Sequence, residues 1–208
     1  MIAEIKHKMV CGLEDELTGN FFGNMRYLPF SRGLKTVLSS SVRGNDPQVK
    51  KIIENIGSDD FVFEFWKRSG LGYGEIDCYM EIEDVSIGVE VKYKSDLSGE
   101  NQLEREAKML NEWSKAKEKI LVFIASEEDA RRIYLQNCKK ECFDRVHLAY
   151  ITWQEILISL DKISTNTVFE DRVVNDIRDY LKEKGFSSFS GFHTTDLLID
   201  RGLYYEFG

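Results

Sequence analysis

Gly74-Glu75-Ile76-Asp77-Cys78-Tyr79-Met80-Glu81-Ile82, the pair Glu83-Asp84, then Val85-Ser86-Ile87-Gly88-Val89-Glu90-Val91-Lys92 is the stretch whose reading decides the fold. Apolar residues alternate with polar ones on both sides of the acidic pair, the period-two pattern of strands. The first strand puts Ile76, Cys78, Met80 and Ile82 on one face and Asp77, Tyr79 and Glu81 on the other. The second sets Val85, Ile87, Val89 and Val91 against Ser86, Gly88, Glu90 and Lys92. Side chains two apart in a strand point the same way, so Glu90 and Lys92 share a face. Asp77 from one strand, and Glu90 and Lys92 from the next, form a set suited to a hard divalent cation beside an activated water. Holding such charges inside a half-buried sheet is costly unless they pair or coordinate.

Working outward, Phe61–Trp66 is aromatic and reads as a preceding strand. Asp46-Pro47 opens a helix ending at Gly57, with Asp as N-cap and Pro at its first position. Residues 20–45, rich in Gly, Ser and Arg, read as a loop with a short element at Leu34–Leu38. Ahead of it the spacing predicts a helix over Ala3–Phe22, striped by Met9, Leu13 and Leu17 and carrying Glu14 and Glu16. Downstream, a Ser95–Gly99 loop leads to a helix over Asn101–Lys117 and a buried strand at Ile120–Ala125. A helix over Glu127–Lys140, a strand at Val146–Thr152 and helices over Trp153–Leu160 and Val168–Lys184 follow. The tail holds weaker strand-like pieces such as Leu203–Phe207. This order predicts an α/β protein, a mixed central β-sheet flanked by helices. Residues 1–160 are expected to form the core with its N-terminal helical region. Residues 161–208 are expected to supply a C-terminal helix and tail that pack on the core or dock a partner.

The chain has 208 residues, 42% hydrophobic and 31% charged, with two prolines and no repeat, as in ordinary globular domains. No apolar run nears the roughly 20 residues of a membrane span. Met1–Lys6 lacks a secretory profile, so the expected location is the cytoplasm and no membrane partner is expected. Cys11, Cys78, Cys138 and Cys142 are too scattered for a disulfide framework, and Cys138, Cys142 and His147 lack a fourth zinc ligand. A net charge of -8 argues against a polyanion coat, though not against a metal-dependent enzyme acting on nucleic acid.

Hydrolysing a phosphodiester requires a divalent metal at the phosphate and an activated water. Mg²⁺, or Mn²⁺ in its place, keeps several waters and needs few protein oxygens. Asp77, Glu90 and the backbone carbonyl of Val91 can supply them, with Lys92 to orient the water. Asp77 … Glu90-Val91-Lys92 resembles the acid, then acid-x-lysine signature of the PD-(D/E)xK nuclease superfamily, which includes restriction endonucleases. Ile76 stands where the nominal motif has proline. The resemblance spans about Leu13–Ile151 and implies a restriction endonuclease-like core and a metal-dependent nuclease, with DNA as the expected substrate. It also implies a glutamate on the leading helix (Glu14 or Glu16) serving metal or water, and a glutamine, Gln102, opening the helix after the lysine strand. A homodimer, or a complex with other defence or mobile-element proteins, is compatible with it. A rival reading is a catalytically inactive scaffold or interaction subunit on the same fold.

Other features weigh less. Arg26, Arg32, Lys35 and Arg43, interleaved with aromatics and serines, and Lys94 beside the lysine strand, are candidate nucleic-acid contacts. Gly70–Gly74 precedes a strand and reads as a turn, not a phosphate loop. His7, His147 and His193 have no partner spacing for catalysis. The Trp153, Ile156 and Leu160 stripe reads as packing, and no Gly-x-Ser-x-Gly turn marks another hydrolase.

Overall fold

The computed structural model describes residues 13–44, 47–70, 72–93 and 101–187. The expectations for residues 3–12, Asp46, Lys94, the 95–99 loop, Cys11, His7, His193 and the 203–207 strand lie outside them. A five-stranded sheet runs in the order β1-β2-β3-β4-β5: β1 Val62–Arg68, β2 Glu75–Ile82, β3 Val85–Val91, β4 Glu118–Ala125 and β5 His147–Thr152. β1, β2 and β3 meander antiparallel, and β3, β4 and β5 run parallel. The antiparallel half needs no crossover, only a short loop between β1 and β2 and a two-residue turn between β2 and β3. Each parallel step needs a helical crossover, and α4 (Gln102–Trp113) and α5 (Glu127–Asn137) supply them. The expected mixed α/β architecture is therefore present.

Helices cover both faces. α1 (Leu13–Met25), α2 (Leu34–Ser41), α3 (Gln48–Asn55), α6 (Trp153–Ser159) and α7 (Val168–Glu183) complete the set. The larger core joins Cys78, Met80, Val89, Val91 and Ile124 to Phe21, Leu34, Ile53, Trp153 and Ile177. α7 residues Val173, Val174, Ile177 and Leu181 belong to that same cluster. The smaller core packs Tyr79, Leu121, Phe123 and Leu148 against Leu103 and Leu110 of α4 and Ala130 and Ile133 of α5.

With helices on both sides, every residue of β3 is buried. The alternation of Ser86, Gly88 and Glu90 therefore faces α4, not solvent. Gly88 is needed there: a Cβ would stand 3.1 Å from a Leu110 methyl and 3.4 Å from Ile76. Gly88→Val should overpack this contact and cost about 1–3 kcal/mol in urea denaturation. An unchanged midpoint would mean that α4 shifts freely.

One expectation fails at the end of β2. Ile76 joins Tyr79 in the smaller core instead of following Cys78, Met80 and Ile82 into the larger one. On the neighbouring strand Trp66, between Phe65 and Lys67, takes a positive φ of 48°. The β1–β2 register passes from Phe65↔Cys78 to Lys67↔Ile76 with no partner pair between. No residue is inserted in either strand: the unpaired positions are Trp66 and Asp77, and the alternation of β2 changes face between Ile76 and Cys78.

Candidate metal-assisted active site

The β2–β3 pairing runs from Ile82↔Val85 to Cys78↔Val89. Beyond it the side chain of Asp77 takes over, its Oδ2 accepting the Val91 N–H at 2.9 Å. Asp77 thus sits where the two strands part, beside Glu90, at the rim of a cleft of about 310 Å³. α1 and α4 flank this cleft, and the β1–β2 loop at Tyr73 and Gly74 contributes to its wall. Gly72 and Gly74 take positive φ in that loop, and Ser69 N–H closes it on the Gly74 carbonyl at 3.0 Å.

The expected residues converge here. Lys92 Nζ lies 2.7 Å from Glu90 Oε1 and 3.3 Å from Glu14 Oε2. Gln102 Nε2 donates to the same Glu90 oxygen at 2.5 Å. Glu14 Oε1 also accepts the Tyr93 N–H at 3.1 Å, tying α1 to the end of β3. Between the two glutamates left open by sequence, only Glu14 engages Lys92; Glu16 pairs with Lys184 after α7 at 2.7 Å. The Lys92 main chain is held from both sides, its N–H donating to Ile124 O and its carbonyl accepting from Trp153 Nε1.

Glu90 is 2% exposed and Lys92 6%, so the charges meet in low dielectric. Burial, then the Glu90 carboxylate, pushes the Asp77 carboxyl well above the usual carboxylate range, against the Val91 N–H and Lys92. Burial raises Glu90 too, opposed by Lys92 and the Gln102 amide. For Lys92 burial works against the ammonium, yet Glu90, Glu14 and Asp77 outweigh it and hold it protonated.

Beyond the residues that sequence reading assigned, Asp15, Tyr73, Glu75, Arg105 and Glu106 also line the cleft, the last two on α4. Glu106, one turn past Gln102, is 2% exposed, and neither of its oxygens has a hydrogen-bond partner among the described residues. Burial, then Glu90 and Asp77, holds its carboxyl well above the ordinary range. The signal was present: in Leu103, Glu106, Ala107 and Leu110, one acid interrupts an apolar helical stripe. Arg105 lines the cleft as well, and its Nε donates to the Tyr73 carbonyl at 3.1 Å.

The arginine-rich segment does not line the cleft. Arg32 makes a two-pronged bond to Glu170 of α7 at 2.6 and 2.8 Å. Lys35 Nζ donates to the Ile56 carbonyl at 2.6 Å, and Arg26 lies over the Tyr27 ring. Arg43 pairs with Glu155 at 2.6 Å, while its backbone exchanges hydrogen bonds with Tyr150 along the edge of β5.

Among the described residues, no three His, Cys, Asp or Glu side chains converge as a ready-made metal cage. The donor set at the cleft is narrower: Asp77 and Glu90, both carboxylates that lose repulsion once a cation lies between them. Hard oxygen donors few in number suit Mg²⁺ or Mn²⁺ that retains water, so the residues fit such an ion. No protein family, curated protein or solved structure matches this chain.

Proposed function

We propose that this chain is a Mg²⁺- or Mn²⁺-dependent nuclease with a restriction endonuclease-like core, hydrolysing phosphodiester bonds of DNA. One observation carries the reading. Asp77, Glu90 and Lys92 meet at one cleft where β2 and β3 part, with 2.7 Å between Lys92 and Glu90. Asp77, Glu90 and the Val91 carbonyl would hold the cation, which supplies Lewis acidity to the phosphate and acidifies the attacking water.

The chain's own residues do the rest. Lys92, held protonated by three carboxylates, offers N–H donors to the attacking water and to charge developing on the phosphate. Gln102 fixes the Glu90 carboxylate through its 2.5 Å bond. Glu14 anchors Lys92 and the Tyr93 main chain, so α1 sets the position of the ammonium.

The test is incubation of the full chain with linear, circular and branched DNA, and with RNA, in Mg²⁺ or Mn²⁺. Cleavage of DNA that EDTA stops is the expected result, with saturable Mn²⁺ binding lost in Glu90→Gln. A protein that neither cuts nucleic acid nor binds Mn²⁺ through Glu90 is a scaffold on this fold instead.

A further inference from the structure

We infer that Glu106 and Glu90 hold a second divalent cation, apart from the one assigned to Asp77 and Glu90, and that this ion clasps α4 to β3. The inference rests on the metal ligands of the reading above and adds a site to them. It starts from a carboxyl that nothing answers. Glu106 is 2% exposed and lines the cleft, and neither of its oxygens has a hydrogen-bond partner among the described residues. A buried carboxyl left so must pair, coordinate or keep a proton. Glu90 and Asp77 are the charges that act on it after burial, so in the metal-free protein a proton stands where the cation would.

Gln102 and Glu106 stand one turn apart among the buried residues of α4, so both overlook the same part of β3. Gln102 meets Glu90 there, and its amide and the Lys92 ammonium both fall on Oε1. A carboxylate offers about four lone-pair sites, so Glu90 can still serve an ion on either side. Among the described residues no three acids form one cage. Asp77 is tied to the Val91 N–H on the strand side, whereas Glu106 reaches the cleft from the helix. Two carboxylates for each ion, with Glu90 common to both, is the arrangement left, and it suffices for a cation that keeps several waters. Charge points the same way. Six carboxyl side chains line the cleft against Lys92 and Arg105, and one of the six, Glu75, is answered by Arg68. Five then face two, a surplus of three, of which one divalent ion offsets only two.

The experiment titrates Mn²⁺ into the full chain by calorimetry, without nucleic acid, and follows hydrogen exchange at the α4 amides. Wild type should take up two ions. Glu106→Gln should take up one, with the other step weakened by about 10–100-fold or more, since losing even an outer-shell partner of a metal costs that much. Asp77→Asn should also keep one ion, and Glu90→Gln none. Mn²⁺ should slow exchange over residues 106–110 in wild type and in Asp77→Asn, where the clasp survives, but not in Glu106→Gln. A single ion in wild type, or two in Glu106→Gln, overturns the inference, and DNA cleavage by the same preparation leaves the nuclease reading standing. Two ions with this pattern of losses, in a chain that cuts no nucleic acid, uphold the clasp and overturn the nuclease reading. A wild-type protein that binds no Mn²⁺ overturns both.

Discussion

If the chain is the nuclease proposed above, an Asp77→Asn protein should lose metal-dependent cleavage by about 10²–10³-fold or more, yet melt at the wild-type temperature or above it. The first half follows from charge. Asn keeps an oxygen for the Val91 N–H but cannot supply an anionic ligand, and losing one electrostatic contact to a developing charge costs rates of that order. The second half follows from repulsion. Asp77 lies in a site where burial and Glu90 oppose its ionisation, so neutralising it removes an unfavourable term from the metal-free fold. Lys92→Met should lose cleavage as fully but shift stability the other way. Lys92 is the cation between Glu90 and Glu14, and stripping one partner from a buried pair costs up to about 3–5 kcal/mol. Calorimetric melting in EDTA, beside a cleavage assay in Mg²⁺, separates the two. If Asp77→Asn cleaves normally, the metal assignment fails. If it melts well below wild type, Asp77 is a structural acceptor and little else.

That opposition of sign is a property of residues that sequence alone could place. Period two set Asp77 and Glu90-x-Lys92 on neighbouring strands, and the Glu83-Asp84 turn fixed their register, so the convergence at the cleft was legible. The change of face at Ile76 was not, because it accompanies an unpaired position between two strands, Trp66 and Asp77, which the period within one strand does not report. The fate of the arginines was equally hidden. Arg32 finds Glu170 across 138 residues, and no local pattern encodes so distant a partner. Glu106 was half legible, as a charge in an apolar stripe, but its meaning needed the knowledge that α4 lies over Glu90. Local period reports which face a residue takes, and only packing reports what that face meets.

Glu106 yields the other large effect, in the pH dependence of the metal-free protein. Asp77, Glu90 and Glu106 all bind protons more tightly folded than at their ordinary values of 3.8 and 4.5. Between those values and the raised ones, the folded state carries more protons than the unfolded state. Stability is then fully present below the ordinary values and is lost as pH rises through the raised ones. Asp59, Asp129 and Glu170 are shifted down, so what they contribute disappears only under more acidic conditions. In EDTA the melting temperature should therefore fall as pH rises from about 5 to 8. Saturating Mn²⁺ should reverse the fall, since a ligand at a hundred times its dissociation constant adds about 2.7 kcal/mol. Glu106→Gln keeps the shape of the side chain, removes the buried acid and can donate to Glu90. It should raise stability at pH 8 in EDTA by about 1–3 kcal/mol and flatten the pH dependence. A melting temperature that climbs across that range, or a Gln variant indistinguishable from wild type at pH 8, would mean that Glu106 is ionised and stably paired in the folded protein. The cleft would then hold no surplus of negative charge for a cation to relieve.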